Sequence, residues 1–361
     1  MIPPEATQEG QQPRGLPSGA RAPSRKGSRV AVAPAVQAAL SDGLPVVALE
    51  STIISHGLPR PRNLDVAIEL ERIVHDGGAR PATIAVLDGV VRVGLDESEL
   101  ERVASQTTMR KLGFRDLSLA LATGASGGTT VSAVSFVAAR VGIQVFATGG
   151  LGGVHRGWAE SWDESADLAM LSRTRLTVVS SGVKSILDIP ATLQRLETLN
   201  VTVVGYRTTM FPGFYVASSG CPVDWTVESP HEIAEVMACR EALGGPDTAL
   251  VVANPVSEDH QLDPELHDVA LAEALAAAED QGVSGQGLTP FLLDFMARRT
   301  GGASIEANLA AVRGNVALGA AIAVACASRD TGAAGDAGAG DPGAGPRDGQ
   351  RAAARGVPEE P

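Results

Sequence analysis

Six short runs of aliphatic and β-branched residues recur along the chain: PVVALES (45–51), ATIAVLDG (82–89), IQVFATGG (143–150), LTVVSSG (176–182), VTVVGY (201–206) and TALVVANP (248–255). Most are apolar at successive positions, not at alternate ones. A strand with one wet face alternates apolar and polar residues, so a strand apolar throughout has to be covered on both faces. Helical patterns lie between the runs. NLDVAIELERIVHDGG sets Leu64, Ala67, Ile68, Leu70 and Ile73 on one face and ends in a glycine stop. ESELERVAS, TTVSAVSFVAARVG and ATLQRLETLN behave similarly. Strand and helix in alternation predict a layered α/β fold around a parallel sheet.

With 361 residues, 44% hydrophobic and 20% charged, the chain has ample length for a large core. A formal charge of −13 argues against a nucleic-acid partner held through phosphates, yet permits a small anionic substrate met by a local cluster of cations. Three scattered cysteines (Cys221, Cys239, Cys326) suggest reduced thiols in a cytoplasmic protein and offer no metal-binding spacing. No stretch of membrane-spanning length is expected, VALGAAIAVACA being too short, and the start of the chain lacks the apolar core of a signal peptide. Residues 1–33 and 329–361 are rich in Pro, Gly, Ala and charge and are expected to be disordered tails, which leaves one folded domain over 34–328.

The unusual polar residues fall at the carboxyl ends of the predicted strands: Glu50, Ser51 and Thr52, the turn at Gly149 and Gly150, Lys184, and Asn254. In parallel α/β sheets that edge binds ligands. Lys184, between Val183 and Ile186, is either a lysine reaching solvent or paired with Asp188, or a desolvated amine free to act as a Schiff-base nucleophile. Gly182 permits a close backbone approach beside it. Glu50 closes a buried strand, as a cap or ion-pair partner or as a general acid. ATGGLGGVHRG has His155 where a dinucleotide fingerprint needs its third glycine, so a nicotinamide cofactor is not expected. Asp163 and Asp167 are four apart, expected on one face of a short helix near Glu160 and His155, either as a solvated face or as a weak divalent-cation site. Lys111, Arg115, Thr129 and Thr130 put cations and hydroxyls before a helix, which suits a phosphate or plain N-caps.

Taken together, ALESTIISHGLPRPRNLDVA, PATIAVLDGVVRVGL, FATGGLGGVHRG, DESADL, SGVKSILDIPATLQRLET, VANPV, TPFLLDFMARRTGG and SIEANLAAVRGN resemble the pseudouridine-5'-phosphate glycosidase family, whose superfamily includes indigoidine-synthesis proteins. The resemblance covers essentially all of 34–328. It implies an α/β/α sandwich with a mostly parallel sheet, a homotrimer, one manganese ion, and reversible cleavage of pseudouridine 5'-phosphate to uracil and ribose 5-phosphate. Carried over residue by residue, it makes Glu50 the proton donor and Lys184 the covalent nucleophile. Lys111 and Val131 become substrate contacts, with Thr130 beside them, and Ser165, Ala166 and Asp167 a substrate-binding triplet. Asp163 becomes the metal ligand, and Asn308 resembles a pocket asparagine. LGFRD after Lys111 and the two tryptophans of GWAESWDES depart from the family pattern.

The chemistry implied suits a lysine. The bond to be broken joins ribose C1' to a carbon of uracil, and a carbanion-like leaving group defeats the ordinary pair of carboxylates. An amine bonded to C1' supplies the missing electron sink. Two rivals remain: a relative acting on another C-nucleotide in pigment biosynthesis, and a non-catalytic sugar-phosphate binder.

Overall fold

The computed structural model describes residues 29–245, 247–283 and 287–336, with side chains described up to Arg329. Eleven strands form one sheet: β1 (Val30–Val32), β2 (Val46–Leu49), β3 (Arg80–Leu87), β4 (Val90–Val93), β5 (Arg110–Leu112), β6 (Gly127–Thr129), β7 (Val145–Ala147), β8 (Thr177–Ser180), β9 (Thr202–Tyr206), β10 (Thr226–Val227) and β11 (Leu250–Ala253). The order is β1-β4-β3-β2-β7-β8-β11-β9-β10, with β6 joined to β3 and β5 to β6. All pairings are parallel except β3 with β4 and β3 with β6.

Each of the six runs contains a strand, and the side chains show why they are apolar throughout. Val46 and Ala48 of β2, Phe146 of β7, Val178 of β8, and Val251 and Ala253 of β11 enter one core. That core is closed by Val131–Val141, Ile189–Thr198, Pro264–Asp280 and Leu288–Arg299. The alternate residues Val47, Leu49, Val145, Ala147, Val179, Leu250 and Val252 enter a second core under Arg62–Asp76, Pro230–Leu243 and the long helix Ala303–Asp336. Two apolar faces covered by two helical layers make the α/β/α sandwich.

Several expectations are corrected. In Arg62–Asp76 the buried stripe is Val66, Ala67, Leu70 and Val74, whereas Ile68 is exposed. The i, i+4 spacing of 66, 70 and 74 fixes the face, and Ile68 points away from it. Val30 and Val32 of β1 lie against β4 and pack on the first core, so the folded unit begins before residue 34. The last helix runs to Asp336, past the boundary expected at 328, and Arg329 on it pairs with Glu235. The rest of both expected tails lies outside the described residues. The stretch Ala303–Arg329 is long and apolar enough to cross a membrane by length and composition, contrary to expectation; 61% of its most apolar window is buried inside the protein, against β2, β7 and β8, as a core helix.

Removing residues 1–33 takes away β1 and bares the edge of β4. Compared with removal of 1–28, this truncation is expected to lower Tm by about 5 °C and to promote association through the freed edge. Calorimetry and light scattering on the two truncations check it.

Candidate active site

The carboxyl ends of β2, β7, β8 and β11 are neighbours in the sheet, and the polar residues that follow them gather there. Glu50 follows β2. One of its carboxylate oxygens accepts the Thr52 hydroxyl and the other the Thr148 hydroxyl, which follows β7. The chain then makes one wide π-helical turn, Ile53–Gly57. Lys184 follows β8 across from Glu50. Gly182 lies at φ +76°, where a Cβ would sit 2.3 Å from the Pro212 carbonyl oxygen, so the backbone turns there without a side chain. The turn sends the lysine inward, and its Nζ donates to the Gly150 carbonyl oxygen at 2.6 Å.

Lys184 is half-buried as a residue, but its amine is enclosed, and burial pushes its proton affinity below the ordinary lysine range. The Glu50 and Asp167 carboxylates act against that shift, and the Lys111 cation acts with it. The alternative pairing with Asp188 does not form. Asp188 instead caps Ile189–Thr198 through the Ala191 amide at 3.0 Å. Next to the lysine, Ser185 is buried and bonded at 2.8 Å to His267 Nε2, which ties the turn to Pro264–Asp280.

Lys111 stands on β5, and Thr130 and Val131 begin the helix Val131–Val141. The Thr130 hydroxyl makes no cap bond and lies 3.0 Å from Ser132 Oγ. Of the other two candidates, Thr129 is wholly buried and bonded to the Ile84 carbonyl, with its amide on Ser51 Oγ at 2.9 Å. Arg115 is exposed and pairs with Asp116. Thr129 therefore stitches strands, whereas Lys111 is exposed and the Thr130 hydroxyl, among the described residues, meets only Ser132.

Asp163 and Asp167 do not share a helix. Trp158–Ser161 ends at Trp162, which takes φ +55°, and a new helix, Ala166–Leu171, starts beyond it. Asp167 is buried and accepts the amides of Ser132 and Gly152, each at 2.9 Å, so it clamps the glycine loop to the start of Val131–Val141. Ser165 caps the second helix through the Asp167 amide, and Ala166 opens it. Asp163 is half-buried with His155 Nδ1 at 3.9 Å. Burial chiefly holds the His155 ring below its usual proton affinity, so it offers the carboxylate no full counter-charge. Among the described residues no three His, Cys, Asp or Glu side chains converge. The donor set fits a hard, largely hydrated cation held by a single carboxylate, and no richer site.

Asn308 Oδ1 is buried without a hydrogen-bond partner, and a Cβ on Gly149 would lie 3.0 Å from it. An orphaned acceptor beside the Gly149 turn is a ready contact for a ligand hydroxyl. Sequence reasoning missed Thr148, Ser181, Asn315 and His267. Thr148 and Ser181 stood within two quoted strand ends, ATGG and VSSG, and Asn315 ended the quoted SIEANLAAVRGN without drawing notice; His267, inside a helix, lay in no quoted stretch.

An amine of lowered proton affinity that feels a nearby carboxylate and cation, with an uncapped helix start at Val131, is a set that covalent amine chemistry can use. The chain belongs to the indigoidine synthase A like protein family, whose model matches residues 35–325. It is 71% identical over 292 residues to a pseudouridine-5'-phosphate glycosidase of Streptomyces griseus, covering 81% of this chain and 90% of that one. A Frankia alni protein of the same name is 57% identical over 84% of both chains. Among solved structures, the prealnumycin C-glycosynthase AlnA in complex with ribulose 5-phosphate superposes with a TM-score of 0.78 at 35% identity, over 84% of this chain and 98% of that one. An indigoidine synthase A-like protein of Thermotoga maritima gives 0.73 at 36% identity, over 79% and 94%.

Proposed function

We propose that this chain is a pseudouridine-5'-phosphate glycosidase, which reversibly cleaves its substrate to uracil and ribose 5-phosphate through a Schiff base on Lys184. The observation that carries the reading is the enclosed Lys184 amine opposed by Glu50. The relatives of that name, 71% and 57% identical, support it.

Lys111 and Thr130 receive the phosphate at the start of Val131–Val141, with Val131 beside them, and the turn over Ser165, Ala166 and Asp167 together with Asn308 lines the sugar. The Lys184 nitrogen bonds to C1' as the C1'–O4' bond breaks, and O4' takes a proton from a water molecule whose hydroxide the iminium carbon later takes up. The amine's own proton passes to Glu50. Glu50 then protonates the uracil carbon, and the nitrogen lone pair forms C=N while the electrons of the C1'–carbon bond return to uracil. That hydroxide adds to the iminium carbon, and ribose 5-phosphate leaves with the lysine free again. Asp163 would hold a hydrated manganese ion, which supplies positive charge near an anionic substrate. A homotrimer in the cytoplasm, where phosphorylated nucleosides are retained, belongs to the same reading.

The test is ultraviolet detection of uracil released from pseudouridine 5'-phosphate by the purified protein, with ribose 5-phosphate formed in equal amount. Absence of uracil at saturating substrate overturns the reading. The likeness to a C-glycosynthase favours a second one, in which the same lysine joins a sugar phosphate to another ring. That enzyme would form the sugar adduct yet release no uracil. A sugar-phosphate sensor would do neither.

Asp163→Ala is expected to keep the fold, since a half-exposed carboxylate adds little to packing. Manganese should raise the Tm of the chelator-treated wild type and leave that of the variant unchanged. An equal rise in both would remove Asp163 from the metal site.

A further inference from the structure

Asn315 sits in the middle of the long helix Ala303–Asp336, fully buried among Val312, Val316, Leu318 and Ala320. An amide in such surroundings costs free energy unless its hydrogen bonds are made. All of them are made, and to one place. Its Nδ2 donates to the Thr148 carbonyl at 2.7 Å and reaches the Gly149 carbonyl at 3.3 Å and Ser181 Oγ at 3.1 Å. Its Oδ1 accepts from Asn254 Nδ2 at 2.9 Å and from Ser181 Oγ at 3.3 Å. Thr148 and Gly149 follow β7, Ser181 follows β8, and Asn254 follows β11.

Three of these partners, Thr148, Gly149 and Ser181, are one short step from a reacting group. The Thr148 hydroxyl holds Glu50. Gly149 precedes Gly150, whose carbonyl receives the Lys184 amine at 2.6 Å. Ser181 stands three residues before Lys184 in the same turn. A single side chain thus ties three strand ends together, bearing the acid on one side and the amine on the other. We propose that Asn315 is a positioning residue that sets the alignment of Glu50 and Lys184 by holding the ends of β7, β8 and β11 in register. It touches neither group.

Only asparagine suits the place. Aspartate would set a second acceptor against the Thr148 and Gly149 carbonyls, and leucine, close in volume, would leave the Thr148 carbonyl without its side-chain donor, while the Gly149 carbonyl would keep the Ser181 amide at 2.9 Å. Buried networks of this kind lose their geometry when one member is removed, because every bond depends on the same placement.

The proposal rests on the lysine–glutamate site proposed above, and the test has one arm that needs no substrate. In Asn315→Leu, kcat for uracil release is expected to fall about 100-fold with KM within about twofold, because the phosphate contacts lie on β5 and Val131–Val141. Reductive methylation by formaldehyde and cyanoborohydride at pH 7, read on the Lys184 peptide, is expected to slow about fivefold. Water entering the loosened turn resolvates the amine, and more of it stays protonated. Lys111 serves as the internal standard and should methylate at the wild-type rate. A purely structural role predicts a lower Tm with unchanged kcat per folded molecule and unchanged Lys184 methylation, and that result overturns the proposal. Should Asn315→Leu fail to fold, Asn254→Ala removes one bond to the hub from a half-exposed position. It should lower kcat about threefold at constant KM, and an unchanged kcat there also overturns the proposal. If the wild type releases no uracil, the functional reading falls, while the methylation arm still decides the role of Asn315.

Discussion

Lys184→Ala is expected to abolish uracil release, by at least about 10⁴-fold, because no positioned water can replace an amine when the leaving group is carbon. Pseudouridine 5'-phosphate should still bind, since the groups assigned to its phosphate lie elsewhere. Borohydride added to the wild type with ribose 5-phosphate should reduce the iminium to a secondary amine, and mass spectrometry should place one pentose phosphate on the peptide containing SSGVKSILDIPATLQR. Lys184→Arg should fail equally, since a guanidinium stays protonated and is no nucleophile. The same lysine carries a stability signature. Its proton affinity is lowered by burial in the folded state, so between that lowered value and the ordinary lysine pKa the unfolded chain binds more protons than the folded one. Stability then falls as pH falls through that window, and below it the whole burial penalty is present. Lys184→Met should therefore be inactive and at neutral pH at least as stable as the wild type, with the gain fading toward high pH. Adduct on another lysine, or turnover by Lys184→Ala, would sink the covalent mechanism.

The parts of this fold that were legible in the sequence are those fixed by burial on two faces. A run such as TALVVANP has no polar residue to spare for solvent, so a parallel strand between two helical layers is nearly forced. The short strands were not legible. Gly127 to Thr129 has almost no strand propensity and is a strand because β3 and β5 flank it. The hairpin of β3 and β4 had a signal that was passed over: Asp88 and Gly89, both at positive φ, sit between ATIAVL and VVRV. At the site, Glu50 and Lys184 stood out because a charge at the end of an apolar strand is costly and demands a reason. Asp163 and Asp167 misled because helical spacing says nothing about the non-helical link through Glu164, bridged to Val154, and the extended cap Ser165 that separate them. Asn315 was invisible for a different reason. In AAVRGNVALGAA one polar residue per few turns is ordinary, and only long-range packing decides that it faces three strand ends.

Glu50→Gln is expected to separate the two halves of the reaction. Glutamine keeps the shape of the side chain, and the hydroxyls of Thr52 and Thr148 can turn to meet its oxygen and its amide, so the variant should fold as the wild type does. It has no proton to give to the uracil carbon, and the loss of a general acid typically costs about 10² to 10⁴ in rate. Uracil release should fall by that amount. Adduct formation between Lys184 and ribose 5-phosphate needs only the amine and an aldehyde, so borohydride trapping should survive. Its pH dependence should also move in a definite direction. The Glu50 carboxylate raises the proton affinity of the Lys184 amine against the effect of burial. With that charge gone the amine releases its proton more readily, and the acid limb of the trapping profile should shift to lower pH. Trapping lost together with cleavage would mean that Glu50 serves the lysine and not the leaving group, and uracil release at the wild-type rate would assign the proton to another residue.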